Sequence, residues 1–374
     1  MSQKEFQKKS FTILGLALIL IICMILDTTA FPSPQKKHTS ANAQTASAAP
    51  ASGTSVSAKQ IQAVWISYGD YKAAGLYNKS RADFETNANK YFRKLHKDGI
   101  NTIYFHAVPC NDAIYPSKYL KWSKYMFASS PNYDPMKILI KAAHSNHMTF
   151  HAWLNPYRKK MGISYNPGKA SSLNRINRIV KEIINNYNVD GIHFDDYFYP
   201  AQGKKAQFNK VTVSKRKRVI NKMVRTIYRT VKSKNKKLRF GISPAGNIEY
   251  AESLGCDLKT WLSKDGYLDY IIPQIYWSDQ YRLNHKITTL YTNRLNKWVA
   301  LNKNDTPMYI GLGLYRAGAY NSADLGWSRK NNNTVSQIKK AKKAGCEGFV
   351  FFSSSYMYRH RSAKEMKNYR KYIK

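Results

Sequence analysis

From Gln60 onward one pattern governs the chain: short apolar runs alternate with longer amphipathic segments rich in lysine. The runs are Gln62–Ser67, Asn101–Val108, Met148–Asn155, Gly191–Tyr197, Leu238–Ser243, Tyr270–Trp277, Met308–Leu314 and Gly348–Ser353. Each has the length of a strand and is rich in β-branched or aromatic residues. Between them, apolar residues recur at helical spacing in Phe84–Lys97, Leu173–Tyr187, Lys215–Lys232, Val335–Lys343 and Ala363–Tyr372. Asp98-Gly99, Asp190-Gly191 and Ala344-Gly345 put a glycine just before a strand, where a helix commonly stops. Strands alternating with helices dictate parallel pairing through right-handed crossovers. Eight such units in about 315 residues predict a closed (β/α)8 TIM-like barrel. The rival, an open doubly wound sheet, needs a glycine-rich phosphate loop after its first strand. Here that strand runs into Ser67-Tyr68-Gly69-Asp70, which is no such loop.

The first 58 residues follow other rules. Lys4, Lys8 and Lys9 precede an apolar stretch, Phe11–Leu26, short for a spanning helix and about right for a secretory signal. Thr28-Thr29-Ala30 supplies small residues for cleavage. A lipid anchor on Cys23 would want a small residue before it, and Ile22 stands there instead. Residues 1–30 therefore read as a signal peptide or an uncleaved N-terminal anchor. Residues 31–58, mostly Ser, Ala, Thr, Pro, Gln and Asn, read as a flexible, disordered linker, because they have too little apolar surface to bury. Residues 59–374 are the barrel, placed by this reading outside the cytoplasm, either secreted or membrane-anchored.

Charge narrows the partners. With 61 Lys+Arg against 22 Asp+Glu, the net charge is +39. Such a surface suits anionic wall polymers or membrane headgroups, in a salt-sensitive way. The export signal and the lack of a nucleic-acid motif argue against specific nucleic-acid binding. The Lys/Arg-rich helix faces read first as solvated exteriors. Cys110, Cys256 and Cys346 are far apart and lack metal-ligand spacing, so they read as small buried thiols. No metal and no organic cofactor is implied, and nothing indicates an oligomeric state.

In such a barrel the chemistry gathers at the C-terminal strand ends. The third strand runs into His151-Ala152-Trp153-Leu154-Asn155-Pro156-Tyr157-Arg158. The fourth runs into His193-Phe194-Asp195-Asp196-Tyr197, and the sixth into Gln274-Ile275-Tyr276-Trp277-Ser278-Asp279. The loop after the second adds Asp112 and Tyr115, the seventh adds Tyr315 and Arg316, and the eighth adds Tyr356. Aromatic rings beside amides and carboxylates fit a sugar, whose C–H faces stack on rings and whose hydroxyls take hydrogen bonds.

Strand parity sends His193, Asp195 and Tyr197 toward the barrel axis, with His151, Trp153, Asn155, Gln274 and Tyr276. A carboxylate walled by aromatics loses solvation, which raises its pKa and suits it to general-acid work. Asp195 and Asp196 are thus the candidate catalytic carboxylates, with Asp112 and Asp279 as candidate partners from other loops. Asp112, His151, Trp153, Asn155, Tyr157, Arg158, His193, Tyr197, Gln274, Tyr276 and Trp277 are the candidate sugar-binding residues. Blander readings stand beside these: interior histidines for His151 and His193, core packing for Trp153 and Trp277, and a solvated turn for Asp195-Asp196.

The segments HAWLNPYR (His151–Arg158), DGIHFDDYFYP (Asp190–Pro200) and PQIYW (Pro273–Trp277) resemble the bacterial glycosyl-hydrolase-like (β/α)8 barrel family once filed as a domain of unknown function. AVWIS (Ala63–Ser67), DAIYPSKYLKWS (Asp112–Ser123) and GFVFFS (Gly348–Ser353) add to the likeness, which runs from about residue 60 to the end. The resemblance implies an exported glycosidase acting on a cell-wall glycan, peptidoglycan strands stripped of stem peptides above all. It maps the family's acidic strand end onto Asp195 and Asp196. A weaker analogy links the fourth strand to the DGxDxDxE of chitinase-type barrels. Laid on this chain, the second acid becomes His193, the third stays Asp195 and the Glu becomes Tyr197, so that mechanism does not carry over. In the second-strand loop, Val108 and Asn111 stand where the family usually has Arg and Gly. The missing charge motivates the alternative of a non-catalytic glycan-binding surface protein.

Overall fold

The computed structural model describes residues 60–157, 163, 166–196, 198–199 and 211–374. The signal and linker segments, Arg158 and Tyr197 lie outside the described residues. All eight expected strands form: β1 (Ile61–Ile66), β2 (Thr102–Val108), β3 (Thr149–Leu154), β4 (Gly191–Phe194), β5 (Arg239–Ile242), β6 (Tyr270–Ile271), β7 (Tyr309–Leu312) and β8 (Gly348–Phe351). They pair in parallel in the order β7-β8-β1-β2-β3-β4-β5-β6. Bridges Ile271–Met308 and Gln274–Gly311 bring β6 back to β7, so the sheet curls into a nearly closed barrel.

Among the described residues the α-helices longer than four residues are α1 (Arg81–Lys97), α2 (Pro135–Ser145), α3 (Ala170–Asn186), α4 (Val213–Lys234), α5 (Ile248–Ser253), α6 (Leu290–Leu301), α7 (Asn333–Lys343) and α8 (Ala363–Ile373). Side chains fix several starts. Ser80 accepts from the Asp83 N–H at the head of α1, and Asp134 accepts from the Met136 and Lys137 N–H groups just before Pro135 opens α2. Gly99 and Gly345 take positive φ (82° and 85°) after α1 and α7, as a helix stop requires. Gly191 does not. It is the first residue of β4, and a Cβ there would lie 2.5 Å from His151 Nδ1.

Parity divides the strands as their sequences predict. Phe150, Ala152, Ile192, Phe194, Phe240 and Ile242 belong to the large core under the helices. Ala63, Trp65, Tyr104, Trp153, Tyr270, Ile272, Tyr309 and Val350 fill the barrel itself. Glycines admit these large rings: a Cβ on Gly241 would come 2.1 Å from the Tyr270 ring, and one on Gly311 would come 3.0 Å from Trp65. Cys256 and Cys346 are buried, unbonded thiols, and burial pushes both pKa values up. Cys110 forms no disulfide either and is only half-buried.

Candidate active site

The barrel interior is polar where an ordinary core would be aliphatic. Trp65 Nε1–H donates to His193 Nε2 (3.1 Å). An indole only donates, so His193 is neutral and carries its proton on Nδ1, 3.3 Å from the Tyr270 hydroxyl. The same hydroxyl lies 3.1 Å from His151 Nδ1. Burial, then the nearby His151 and His106, holds His193 well below the usual imidazole range. Burial and the Arg239 charge bring His151 down to about 3.

These two histidines were candidates for sugar contact, and the structure puts them in the barrel floor instead. His193 is wholly buried. His151 lines a cavity of about 290 Å³ with Thr102, Thr149 and Arg239, residues at or next to the N-terminal ends of their strands. Parity was right for both, but they sit too deep to meet a ligand at the rim.

One layer higher, a second network reaches the rim. Gln274 Nε2 donates one N–H to the Ser243 carbonyl (2.8 Å) and the other to Asp195 Oδ1 (3.0 Å). The Asp196 backbone N–H donates to the same Oδ1 (2.8 Å). Asp195 is half-buried, and two donors fix the plane of its carboxylate. Capture of the Asp196 N–H by a side chain also ends the β4 ladder at Phe194. Asp196 is half-buried too, and its charge is felt by the Cys256 thiol in the core under the helices. The adjacent acids thus have different surroundings.

Aromatic walls rise on both sides. Tyr276 meets Tyr315 edge-on (5.8 Å, 86°) and lies 5.8 Å from Phe352, which in turn is 6.0 Å from Trp65. Tyr356 is 6.3 Å from Tyr315. On the β2–β3 side, Trp153 stacks flat on His106 (3.7 Å, 5°) and donates to Asn155 Oδ1 (3.2 Å). Asn155 Nδ2 donates onward to the Pro109 carbonyl, tying β3 to the loop after β2. Asn155 and Tyr157 are both buried, so their contribution is to hold this wall. Tyr68 lies between His106 and Tyr125. Phe352, Tyr68 and Tyr125 were not singled out by sequence, although parity along Gly348, Val350 and Phe352 marks Phe352 as inward.

Asp112 lies in the loop after β2, where its Oδ1 accepts from the Cys110 N–H (2.9 Å). Burial raises its pKa, against hydrogen bonds that pull the other way. Asn111 before it has φ of 56°, the left-handed conformation that glycine takes without cost. Arg175 from α3 donates to the Asn111 side chain (3.0 Å), which brings a guanidinium to this loop from another element.

Two candidates fall elsewhere. Trp277 belongs to the core under the helices, with the Arg294 guanidinium 3.6 Å from its ring. Gln274 and Tyr276 face inward, so the residue after Tyr276 must face outward. Asp279 accepts from Lys340 Nζ (2.5 Å) and from the Thr292 N–H and hydroxyl (2.8 and 2.6 Å). Burial opposes its ionisation, but these donors outweigh burial and hold its carboxyl below the usual range. It anchors α6 and α7. Among the described residues no three His, Cys, Asp or Glu gather into a metal site.

A (β/α)8 barrel with a hydrogen-bonded carboxylate at a strand end is the frame shared by the barrel-type glycosyl hydrolases. The chain belongs to the glycosyl hydrolase-like 10 family, whose profile matches residues 60–164 and 158–329. It is 27% identical over 337 residues to Glycosyl hydrolase YngK of Bacillus subtilis (strain 168), a match covering 72% of this chain and 63% of that protein. It is 27% identical over 410 aligned positions to Glycosyl hydrolase DigH of Escherichia coli (strain K12), covering 89% of this chain and 90% of that one. Among solved structures, the barrel is similar to a GH18 chitinase from Cycas revoluta (TM-score 0.54, 10% identity, covering 84% of this chain and 100% of that one). It is also similar to PbGH5A of Prevotella bryantii (TM-score 0.53, 11% identity, covering 86% and 94%). At such identities the likeness is one of fold.

Proposed function

We propose that this protein hydrolyses glycosidic bonds in a cell-wall polysaccharide, peptidoglycan glycan strands in the first instance, and works outside the cytoplasm. The observation that carries the reading is Asp195. It stands at the end of β4, half-buried, its Oδ1 held by Gln274 and by the Asp196 N–H. Two donors on Oδ1 hold this carboxyl in one orientation at the strand end, and a positioned carboxyl is the group that exchanges a proton with a glycosidic oxygen. A second carboxyl completes such a reaction. Of the loop candidates, Asp279 is committed to Lys340, whereas burial pushes Asp112 toward its protonated form. Asp112 is therefore the loop carboxyl we assign as partner to Asp195. Tyr276, Tyr315 and Phe352 offer ring faces to the sugar.

The export signal read in residues 1–30 and the net charge of +39 support work in the anionic surroundings of a cell wall. The test is prolonged incubation of the protein with glycan strands freed of peptide, read by mass spectrometry. New reducing ends from the wild type and none from Asp195→Asn are expected. Binding without products from the wild type would instead make the barrel a glycan binder.

A further inference from the structure

We propose that the outer faces of α3 and α4 form a docking strip for a linear polyphosphodiester of the polyol-phosphate kind, which moors the enzyme beside its glycan. The proposal rests on the cell-wall reading above only for its biological setting. Its physical basis is the charge pattern of two neighbouring helices.

Helix α4 contains nine Lys or Arg residues and no Asp or Glu. They divide sharply by face. Lys217 and Lys232 reach Glu252 and Asp269, and Arg216 donates to the Val211 and Ser253 carbonyls. Lys215, Arg218, Lys222, Arg225 and Arg229 are exposed, and none of them has a carboxylate partner among the described residues. At 100° per residue those five fall within a sector of about 80°, opposite the buried Ile220, Val224, Ile227 and Val231. They extend about 21 Å along the axis, one cation roughly every 5 Å. Arg178 and Lys181 are exposed on α3, whose only acid, Glu182, is buried and accepts from Tyr115, Ser117 and Lys118. Lys234 is also exposed but lies off this sector, so the two packed helices present eight exposed cations, seven of them in the proposed strip, and no exposed carboxylate.

A straight row of cations suits a straight row of single negative charges. The sector holds no large apolar residue to sink into a bilayer, as an interfacial helix would need. α4 also carries no exposed aromatic ring, which single-stranded nucleic acid would want for base stacking. A polyol-phosphate chain asks only for regularly spaced charge.

The test compares wild type with Arg218→Gln/Lys222→Gln/Arg225→Gln and with a control of equal net charge, Lys90→Gln/Lys303→Gln/Lys342→Gln, whose lysines are exposed elsewhere. Binding to poly(glycerol phosphate) is measured against salt. With single-strand counterion release of about 0.7 per contact, three lost contacts should lower the salt slope by about 2 and the affinity at 0.1 M salt by about 100-fold. The control should bind like wild type, and both variants should cleave soluble glycan fragments at the wild-type rate. An equal loss in the control would overturn the proposal in favour of net charge alone. So would tighter binding of wild type to anionic vesicles or to oligothymidylate than to the polyol phosphate. Loss of glycan cleavage in every sample, wild type included, would count against the glycosidase reading and leave the binding comparison intact.

Discussion

The two histidines in the barrel floor make the fold acid-sensitive by an amount the structure sets. His151 is buried between Tyr104, Tyr270 and Arg239, and its pKa falls from 6.5 to about 3. Between those values the unfolded chain binds a proton that the folded chain refuses. Stability is therefore complete above pH 6.5 and declines as the pH drops toward 3. For His151 alone the loss is about 2 kcal/mol at pH 5 and about 3 kcal/mol at pH 4. His193, shifted in the same direction, adds to it. Urea unfolding at pH 7 and pH 5, on wild type and His151→Gln, isolates the contribution. The variant should lose about 2 kcal/mol less than wild type between the two pH values. Equal losses in both proteins would show that the floor does not hold a neutral imidazole, and the reasoning would fail. Any acid limb in the hydrolysis profile must be compared with this unfolding before it is assigned to Asp195.

Three more outcomes follow from the geometry. Gln274→Leu removes a donor to a charged acceptor, worth about 1.5–3 kcal/mol, so kcat should fall roughly 10- to 100-fold with KM little changed; steady-state kinetics decides. Tyr276→Ala should raise KM, while Trp277→Ala should leave KM unchanged and cost about 3–5 kcal/mol of stability, because only Tyr276 faces the mouth; kinetics and thermal melts on the pair separate the roles. Gly241→Ala drives a methyl into the Tyr270 ring and should cost about 1–3 kcal/mol through overpacking, seen as a lowered Tm.

The barrel was legible because period carries it. Eight apolar runs became eight strands, and the helices over Phe84–Lys97, Leu173–Tyr187, Lys215–Lys232, Val335–Lys343 and Ala363–Tyr372 all formed within a few residues of those bounds. The misses have local causes. Tyr270–Trp277 reads as one strand, but its regular ladder ends at Ile271 because Pro273 has no N–H to give; pairing resumes only at Gln274. α2 carries both its Asp134–Pro135 cap and Met136, Leu139, Ile140 and Ala143 at helical spacing, so the sequence does mark it, whereas α6 mixes aromatic and β-branched residues into a helix of weak polarity.

The site was legible in direction but not in depth. Parity states which way a side chain points, so it brought Asp195 and Gln274 to one side of β4 and β6 and should have turned Trp277 away. How far below the rim a residue lies depends on the stagger between strands, which sequence does not display. Trp153 pairs in register with His193, and His193 with Gly241, so the floor is set by those partners rather than by the strand's own length. The consequence is mechanical. His193 Nε2 contacts the Ser243 hydroxyl (3.0 Å), the Ser243 carbonyl holds Gln274, and Gln274 holds Asp195. A floor that stays neutral keeps this column in place; protonating His193 would turn the acceptor of the Trp65 N–H into a donor and push the column apart from beneath the carboxylate.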